Sequence, residues 1–213
     1  MPTRQRPPEL PDEVRLELQP LATLDGADLE RVRLEGCALG EQRGRRMRLE
    51  AARVTRCGFA GSKVTELAWM DVACERSDLS LVEWPRARLT RVVVSDCRAT
   101  GARWVEGELE DVRFVACQLE CAVFTGARLR RVTFEKCRLR DADFGGADLA
   151  GTVFDACELH GVDLTGAKLA GADVHTSELV EARLEPRDMK GLVVSREQAV
   201  ALARLMGAVV KEE

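Results

Sequence analysis

The sequence predicts an all-β solenoid with four sides and about eight coils, followed by a C-terminal α-helix. The first observation behind this prediction is a five-residue period that runs from Ala22 to Leu184 without an insertion or deletion. In each five, the first residue is small and the third is large and apolar. The second observation is that particular side chains, such as Cys117, Cys137 and Cys157, return every 20 residues. Four fives therefore make one coil with four sides.

Two uncharged columns predict the core of this solenoid. The period gives 33 repeats and 66 inward positions, and none of the 68 acidic and basic residues falls on them. All six Phe and all three Trp occupy the large position. Inward positions that never carry a charge indicate a buried core repeated along the chain. The residues that break the size pattern are Gln42, Met47 and Leu67 in the small column and Gly44, Cys74 and Ala99 in the large column.

The 20-residue spacing also predicts a ladder of stacked cysteines. Its members are Cys37, Cys57, Cys97, Cys117, Cys137 and Cys157, with serine at positions 77 and 177. Thiols on parallel, stacked backbones point inward together rather than at each other, so we expect small buried fillers without disulfides. Cys121 is the exception, because it falls on an outward position. It should therefore be the one reactive thiol. At a spacing of ~4.8 Å per coil, the eight predicted coils make a rod ~40 Å long.

Aromatic residues are expected to fill the large inward column. Phe134 should pack between Phe114 and Phe154, which lie 20 residues before and after it. Trp84 and Trp104 have the same spacing and should stack directly. An aromatic ligand box is the alternative to core filling, and the inward position of these rings favours the core.

The chain divides into three predicted regions. Residues 1–21 should form a mobile segment followed by a cap strand, and residues 1–13 carry four of the seven prolines. The alternating apolar residues of that strand are Val14, Leu16 and Leu18. Residues 22–185 form the repeat. Residues 186–213 contain a loop and a helix, which begins at a capping box formed by Ser195 and Gln198 and ends near Gly207.

The apolar residues of the C-terminal helix cover too much of its circumference for a single contact. One face should close the last coil, and the other should pair with a second copy of the chain. The candidates for these two surfaces are Leu202, Leu205, Met206, Val209 and Val210.

Charge is unevenly distributed although the net charge is only −4. Six arginines fall between positions 43 and 56. They indicate a basic patch that binds phosphate or an acidic partner. The alternative is a solvated surface whose arginines lie on different sides of the rod. The last coils are acidic instead. The candidate acidic interaction surface consists of Asp141, Asp143, Asp148, Asp155, Glu158, Asp163, Asp173, Glu178 and Glu181.

The five-residue motifs GADLA (146–150), GVDLT (161–165) and GAKLA (166–170) resemble those of the pentapeptide repeat proteins. The resemblance covers about three quarters of the chain and implies a right-handed quadrilateral β-helix. The ending VVSREQAVALARLMG (193–207) is similar to that of the mycobacterial member of the group that mimics DNA, binds DNA gyrase and alters quinolone susceptibility. This likeness implies a protein partner, which could be gyrase, and a homodimer formed through the helix. A scaffold or adaptor rod without DNA mimicry is the alternative.

Several classes of function are not supported by the sequence. No residues are spaced as a catalytic, cofactor-binding or metal-binding site, and His160 and His175 fall on outward positions of neighbouring sides. We therefore expect no enzyme, no cofactor and no direct contact with nucleic acid. No apolar run approaches the ~20 residues of a membrane helix, and no signal peptide is evident, so we expect a cytoplasmic protein.

Overall fold

The computed structural model describes residues 5–9 and 16–211. From residue 22 onward the chain winds as a parallel β-solenoid in which strand residues pair with those 20 positions later, whereas Glu17 and Leu18 pair with residues 15 positions later. On one side the paired positions are 28, 48, 68, 88, 108, 128, 148 and 168. This register has eight levels, and the predicted solenoid with a C-terminal helix is confirmed.

The strands are short, and all pairs are parallel. Four of them, β5, β7, β8 and β9, have eight residues because they continue around a corner and join two sides into a ten-stranded sheet. β4 and β6 form a second sheet on another side. The elements are β1 (Glu17–Leu18), β2 (Asp28–Glu30), β3 (Val32–Glu35), β4 (Arg43–Arg45), β5 (Arg48–Thr55), β6 (Lys63–Thr65), β7 (Ala68–Glu75), β8 (Arg88–Ser95), β9 (Glu108–Val115), β10 (Arg128–Arg130), β11 (Thr133–Glu135), β12 (Val153–Asp155) and α1 (Arg196–Leu205).

Each coil has four sides, which we name A to D. Side A contains residues 142–146 and every segment displaced from them by a multiple of 20. Sides B, C and D contain 147–151, 152–156 and 157–161 in the same way. The first and third residues of each segment point inward, and the second and fourth point outward. The fifth residue forms the corner to the next side.

Corner residues have a left-handed backbone, which explains the composition of the corners. The φ angle is +73° at Gly151 and +74° at Gly171, and it is +56° at Asp111 on the same corner. This region of φ is disfavoured for residues with a Cβ atom. Glycine is therefore the low-cost residue at the corners of the last coils.

The predicted inward columns are buried almost without exception. Of the 66 positions, the five that are not buried are Ala22, Leu29, Gln42, Gly44 and Leu184. Four of these lie in the first two coils, and Leu184 lies at the end of the repeat. Gln42 compensates through its amide group, which donates to the carbonyl of Ala22 and accepts from the amide of Leu24, both at 3.0 Å. A Cβ atom on Gly44 would lie 2.9 Å from the backbone of Leu24, so the first coil passes too closely for a side chain there.

The aromatic core confirms one stacking prediction and corrects another. Phe134 stacks on both Phe114 and Phe154, with ring centroids 5.0 Å apart and planes within 6° in each pair. Trp84 and Trp104 were expected to stack on each other, and this is wrong. The Trp84 ring meets Trp69 edge-on at 5.4 Å because its indole N–H donates to the hydroxyl of Ser62, whereas Trp104 stacks on Phe124.

All eight cysteines are free, and the ladder is buried as predicted. Cys121 is the exposed thiol. Burial raises the pKa of Cys57 to about 11, and its Sγ contacts the carbonyl of Thr55. Such a thiol acts as a small apolar side chain and resists oxidation.

The N-terminal end differs from its prediction. Leu16 is buried, but Leu18, which was expected to point inward with it, is 60% exposed. β1 has only two residues and pairs at the open end of the rod, where no further coil covers Leu18. Val14 lies outside the described residues. Residues 5–9, within the segment predicted to be mobile, instead form hydrogen bonds along the rod, whereas residues 1–4 and 10–13 are outside the described part.

The C-terminal helix closes the last coil as predicted. Ser195 is its N-cap, the capping box with Gln198 is complete, and Gly207 follows with a φ of +86°. The Gln198 amide also donates to the carbonyls of Val174 and Ser177 at 2.8 and 2.6 Å. The carbonyl of Val174 also accepts from the backbone amide of Ser177, so Gln198 adds a second hydrogen bond there and supplies a donor to the carbonyl of Ser177. The side chain of Gln198 thus caps the last coil through hydrogen bonds.

Candidate protein-binding site

The structure brings together six of the nine predicted acidic residues. Sides D and A meet at a corner, and the carboxylates on or beside it form a surface that we call the acidic edge. Its members are Asp141, Asp143, Glu158, Asp163, Glu178 and Glu181. The other three face elsewhere. Asp148 lies on side B, and Asp155 and Asp173 lie on side C.

Two pairs in the acidic edge place like charges directly opposite each other. Asp143 pairs with Asp163 on side A, and Glu158 pairs with Glu178 on side D. Neighbouring coils are only ~4.8 Å apart. Like charges directly opposite on adjacent strands destabilise a sheet. The acidic edge is therefore kept at a cost in stability.

Cations stand at the borders of the acidic edge. Arg183 pairs with Asp163 at 3.2 Å, and Arg138 pairs with Glu158 at 3.6 Å. His160 contacts Glu178 at 3.1 Å. Burial pushes the pKa of Asp163 upward, but hydrogen bonds from Thr165 and the charge of Arg183 outweigh it and leave the pKa below its usual range. The carboxylate of Asp163 is thus ionised at neutral pH.

Side B orders its charges in the opposite way. Along the outward column formed by the second residue of each segment, the residues are Asp28, Arg48, Ala68, Arg88, Glu108, Arg128, Asp148 and Lys168. The sign alternates wherever neighbours are charged. Glu108 lies 3.3 Å from both Arg88 and Arg128, and Lys168 lies 3.4 Å from Asp148. Asp148 is therefore part of a neutralised column and does not extend the acidic edge.

The apolar candidates on α1 and after it separate into two groups. Leu202 is buried against the last coil, whereas Leu205, Met206 and Val209 are 56%, 45% and 88% exposed. Val210 is half-buried. Two more exposed apolar side chains, Val180 and Val193, belong to the last coil, at the same end of the rod. The helix thus contacts the last coil through Gln198 and Leu202 and leaves an apolar surface exposed.

The arginines of the first coils are spread over several sides, as the second interpretation of their sequence pattern expects. Of the six, two lie on side A, one on side B and one on side C, and two lie at corners. The sequence did not indicate the groove of about 840 Å³ that follows the corner between sides A and B. Arg46, Arg48, Arg86 and Arg88 line it, and Met47 and Leu67 replace small residues at its floor.

The sequence also did not indicate two charged residues that are almost fully buried. Asp71 and Asp111 occupy the corner between sides B and C and are only 7% and 4% exposed. Arg91 and Arg131 follow them by 20 residues and bind them. This alternation of Asp and Arg every 20 residues is the signal that could have identified the corner.

Neither a metal site nor a membrane span is found in the part of the chain that the structure describes. Among residues 5–9 and 16–211, no group of three or more His, Cys, Asp and Glu is placed to hold a metal ion. The histidines instead contact single carboxylates, His160 that of Glu178 and His175 that of Asp173. Within the same described residues, no helix is both long and apolar enough to span a membrane.

Comparison with known proteins finds similar solved structures. In solved structures the chain is similar to a trypsin-treated variant of QnrB1, a plasmid-mediated fluoroquinolone resistance protein, with 17% identity, a TM-score of 0.42 and coverage of 93% of this chain and 100% of that one. It is also similar to HetL of the cyanobacterium Nostoc sp. strain PCC 7120, involved in heterocyst differentiation regulation, with 16% identity, a TM-score of 0.31 and coverage of 82% and 91%. No curated protein sequence matches.

Family profiles match more than half of the sequence. The profile described as "Pentapeptide repeat region" matches residues 67–144. The profile described as "Pentapeptide repeats (8 copies)" matches residues 137–175 and 157–185. Together they cover the regular coils and the acidic edge. This chain belongs to the pentapeptide repeat family.

Proposed function

We propose that this protein is a non-enzymatic cytoplasmic rod that binds another protein through its acidic edge. The like-charge pairs Asp143–Asp163 and Glu158–Glu178 carry the proposal. The outward column of side B that contains Glu108, built on the same backbone, avoids such pairs by alternating its charges. A partner that brings positive charge to the acidic edge would relieve the repulsion between these carboxylates. Binding would then offset the electrostatic free energy that the like-charge pairs cost in the folded protein.

The uncovered apolar surface at the C-terminal end supports a homodimer. Leu205, Met206 and Val209 are exposed together, and exposed apolar clusters on soluble proteins usually mark an interaction surface. A second copy is the occupant we propose, because a self-complementary patch related by a two-fold axis closes into a dimer. The acidic edges of the two subunits would then flank the centre of a longer rod.

DNA gyrase is the specific partner that we propose. The ending 193–207 resembles that of the gyrase-interacting group, and the acidic edge lies beside it. Rows of carboxylates at the coil spacing would take the place of DNA phosphates on a basic surface of the enzyme. The arginines of the first coils lie at the far end of each subunit and would not interrupt the acidic centre of the dimer.

The test is competition with DNA. Purified protein should bind DNA gyrase in a titration, should be displaced by duplex DNA, and should inhibit supercoiling in proportion to its occupancy. Because the contact is electrostatic, the affinity should fall steeply between low and high salt. Binding that is unaffected by DNA would contradict mimicry, and absence of binding would exclude gyrase as the partner.

A scaffold without DNA mimicry is the second candidate. The alternating column of side B favours it, because paired charges give a flat surface with little net field. A partner on side B would bind with weak salt dependence. Neutralising the acidic edge would then leave binding unchanged, which distinguishes this candidate from the first.

A further inference from the structure

The N-terminal segment Gln5–Glu9 lies along the corner between sides B and C, diagonally opposite the acidic edge. The side-chain amide of Gln5 donates to the carbonyls of Val112 and Arg131 at 2.8 and 2.6 Å. The backbone amide of Arg6 donates to Asp111 at 3.1 Å, and that of Glu9 donates to Asp71 at 2.8 Å. The segment therefore runs parallel to the rod axis, toward its N-terminal end.

The spacing of these contacts matches an extended proline-containing peptide. Asp71 and Asp111 are two coils apart, which corresponds to ~9.6 Å. Arg6 and Glu9 are three residues apart and enclose Pro7 and Pro8. In a polyproline II helix, three residues rise ~9.3 Å and complete one turn, so both amides point to the same side. The corner thus presents one carboxylate for each turn of such a peptide.

Each of the two carboxylates, Asp71 and Asp111, is oriented by an arginine so that it can accept a hydrogen bond from the peptide backbone. Arg91 binds Asp71 through two nitrogens at 2.7 and 2.5 Å, and Arg131 binds Asp111 at 2.7 and 2.9 Å. The hydrogen bond from Arg131 lowers the pKa of Asp111 and, with that from the amide of Arg6, outweighs burial, which raises it. Both aspartates therefore remain charged although they are buried. Charged acceptors make stronger hydrogen bonds to backbone amides than neutral ones.

The corner maintains this arrangement against a backbone preference. Asp71, Arg91, Asp111 and Arg131 have φ angles between +52° and +56°. The same corner carries Gly151 and Gly171 in later coils, where glycine adopts this conformation without strain. Charged residues with similar φ angles also occupy the corner between sides A and B, and what distinguishes the corner between sides B and C is that Asp71 and Asp111 are buried.

We propose that the corner formed by Asp71, Arg91, Asp111 and Arg131 is a binding site for an extended, proline-containing peptide. Gln5–Glu9 occupies this site in cis, and a partner protein with such a segment takes its place. Only Gln5 and Pro8 of the segment are half-buried, and Arg6, Pro7 and Glu9 are exposed. A cis occupant held by so few contacts can be displaced by a peptide that reproduces them.

The test uses the full-length protein and a fluorescein-labelled peptide TRQRPPELP, the sequence of residues 3–11. The cis segment competes with the peptide in the wild-type protein. Gln5→Ala removes two hydrogen bonds from the cis segment, so the labelled peptide should bind this variant roughly tenfold more tightly. Fluorescence anisotropy measures the difference. Equal binding to both proteins, or no binding to the variant, would overturn the proposal.

Controls on both molecules make the result specific. A peptide N-methylated at the amide that corresponds to Glu9 cannot donate to Asp71 and should lose binding, without any change to the protein. Adding Asp111→Ala to Gln5→Ala should also abolish binding. The matched control is Asp78→Ala, which removes an aspartate paired with an arginine 20 residues later on side D, and it should have no effect. Undiminished binding of the N-methylated peptide would refute recognition by the buried carboxylates.

Discussion

Side B and the acidic edge differ in how charges are ordered along one and the same backbone. On side B the sign alternates along the column from Arg88 to Lys168, and Glu108 is shared between Arg88 and Arg128. On the acidic edge, Asp143 faces Asp163 and Glu158 faces Glu178. Alternating charges support the register of the rod, whereas like charges weaken it. We infer from this difference that a column of like charges, which destabilises the rod, indicates a binding surface better than a column of alternating charges does.

The largest expected effect concerns the core, which both regions share. Phe134→Ala removes a ring stacked between Phe114 and Phe154 and should lower the free energy of unfolding by about 3–5 kcal/mol. Thermal unfolding followed by circular dichroism measures the loss. Phe134→Leu is the control and should cost less, because it keeps most of the apolar volume. An unchanged melting temperature for Phe134→Ala would show that the stack contributes nothing.

The C-terminal helix should give an intermediate effect that separates folding from assembly. Leu202→Ala removes a buried contact and should cost about 2–5 kcal/mol in stability. Leu205→Glu with Met206→Glu changes only exposed side chains, so it should leave the melting temperature of the subunit nearly unchanged. Light scattering should show that this double variant is a monomer and that the wild-type protein is a dimer. A wild-type monomer at high concentration would contradict the proposed dimer.

The smallest effect tests the charge comparison itself. Glu178→Lys converts the Glu158–Glu178 pair into one of opposite sign and should stabilise the rod by a few tenths of a kcal/mol. Lys168→Glu places two acidic residues opposite each other on side B and should destabilise it by a similar amount. Both residues are well exposed, so packing changes little. Calorimetry at low salt should show shifts of opposite sign, and shifts of the same sign would disprove the comparison.

The fold could be predicted from sequence because its rules are local and repeated. Uncharged inward columns identify the core, and only positions in the end coils depart from the prediction. Ring orientation could not be predicted, because Trp84 follows a hydrogen bond to Ser62 rather than the 20-residue register. The inward orientation of Leu18 was predicted wrongly, because the five-residue period does not show where the first coil lacks a neighbouring coil.

The candidate site could be predicted only in part. The sequence indicated that the last coils are acidic. Only the assignment of residues to the four sides shows that Asp141 and Glu181 lie at the corner between sides D and A and that Asp148 lies on side B. The occupied corner was missed because its contacts join residues more than 60 positions apart in sequence. No local pattern links Glu9 to Asp71. The alternation of Asp and Arg at that corner is visible in the sequence once the sides are assigned.

The most direct test of the acidic edge compares two double substitutions that remove the same charge. Glu158→Gln with Glu178→Gln neutralises part of the acidic edge, and Glu108→Gln with Asp148→Asn neutralises part of side B. Binding to DNA gyrase is measured by calorimetric titration for both variants and for the wild-type protein. We predict that the first variant binds roughly tenfold more weakly and that the second binds like the wild-type protein. Equal affinity for both variants would contradict the assignment of the acidic edge as the binding surface.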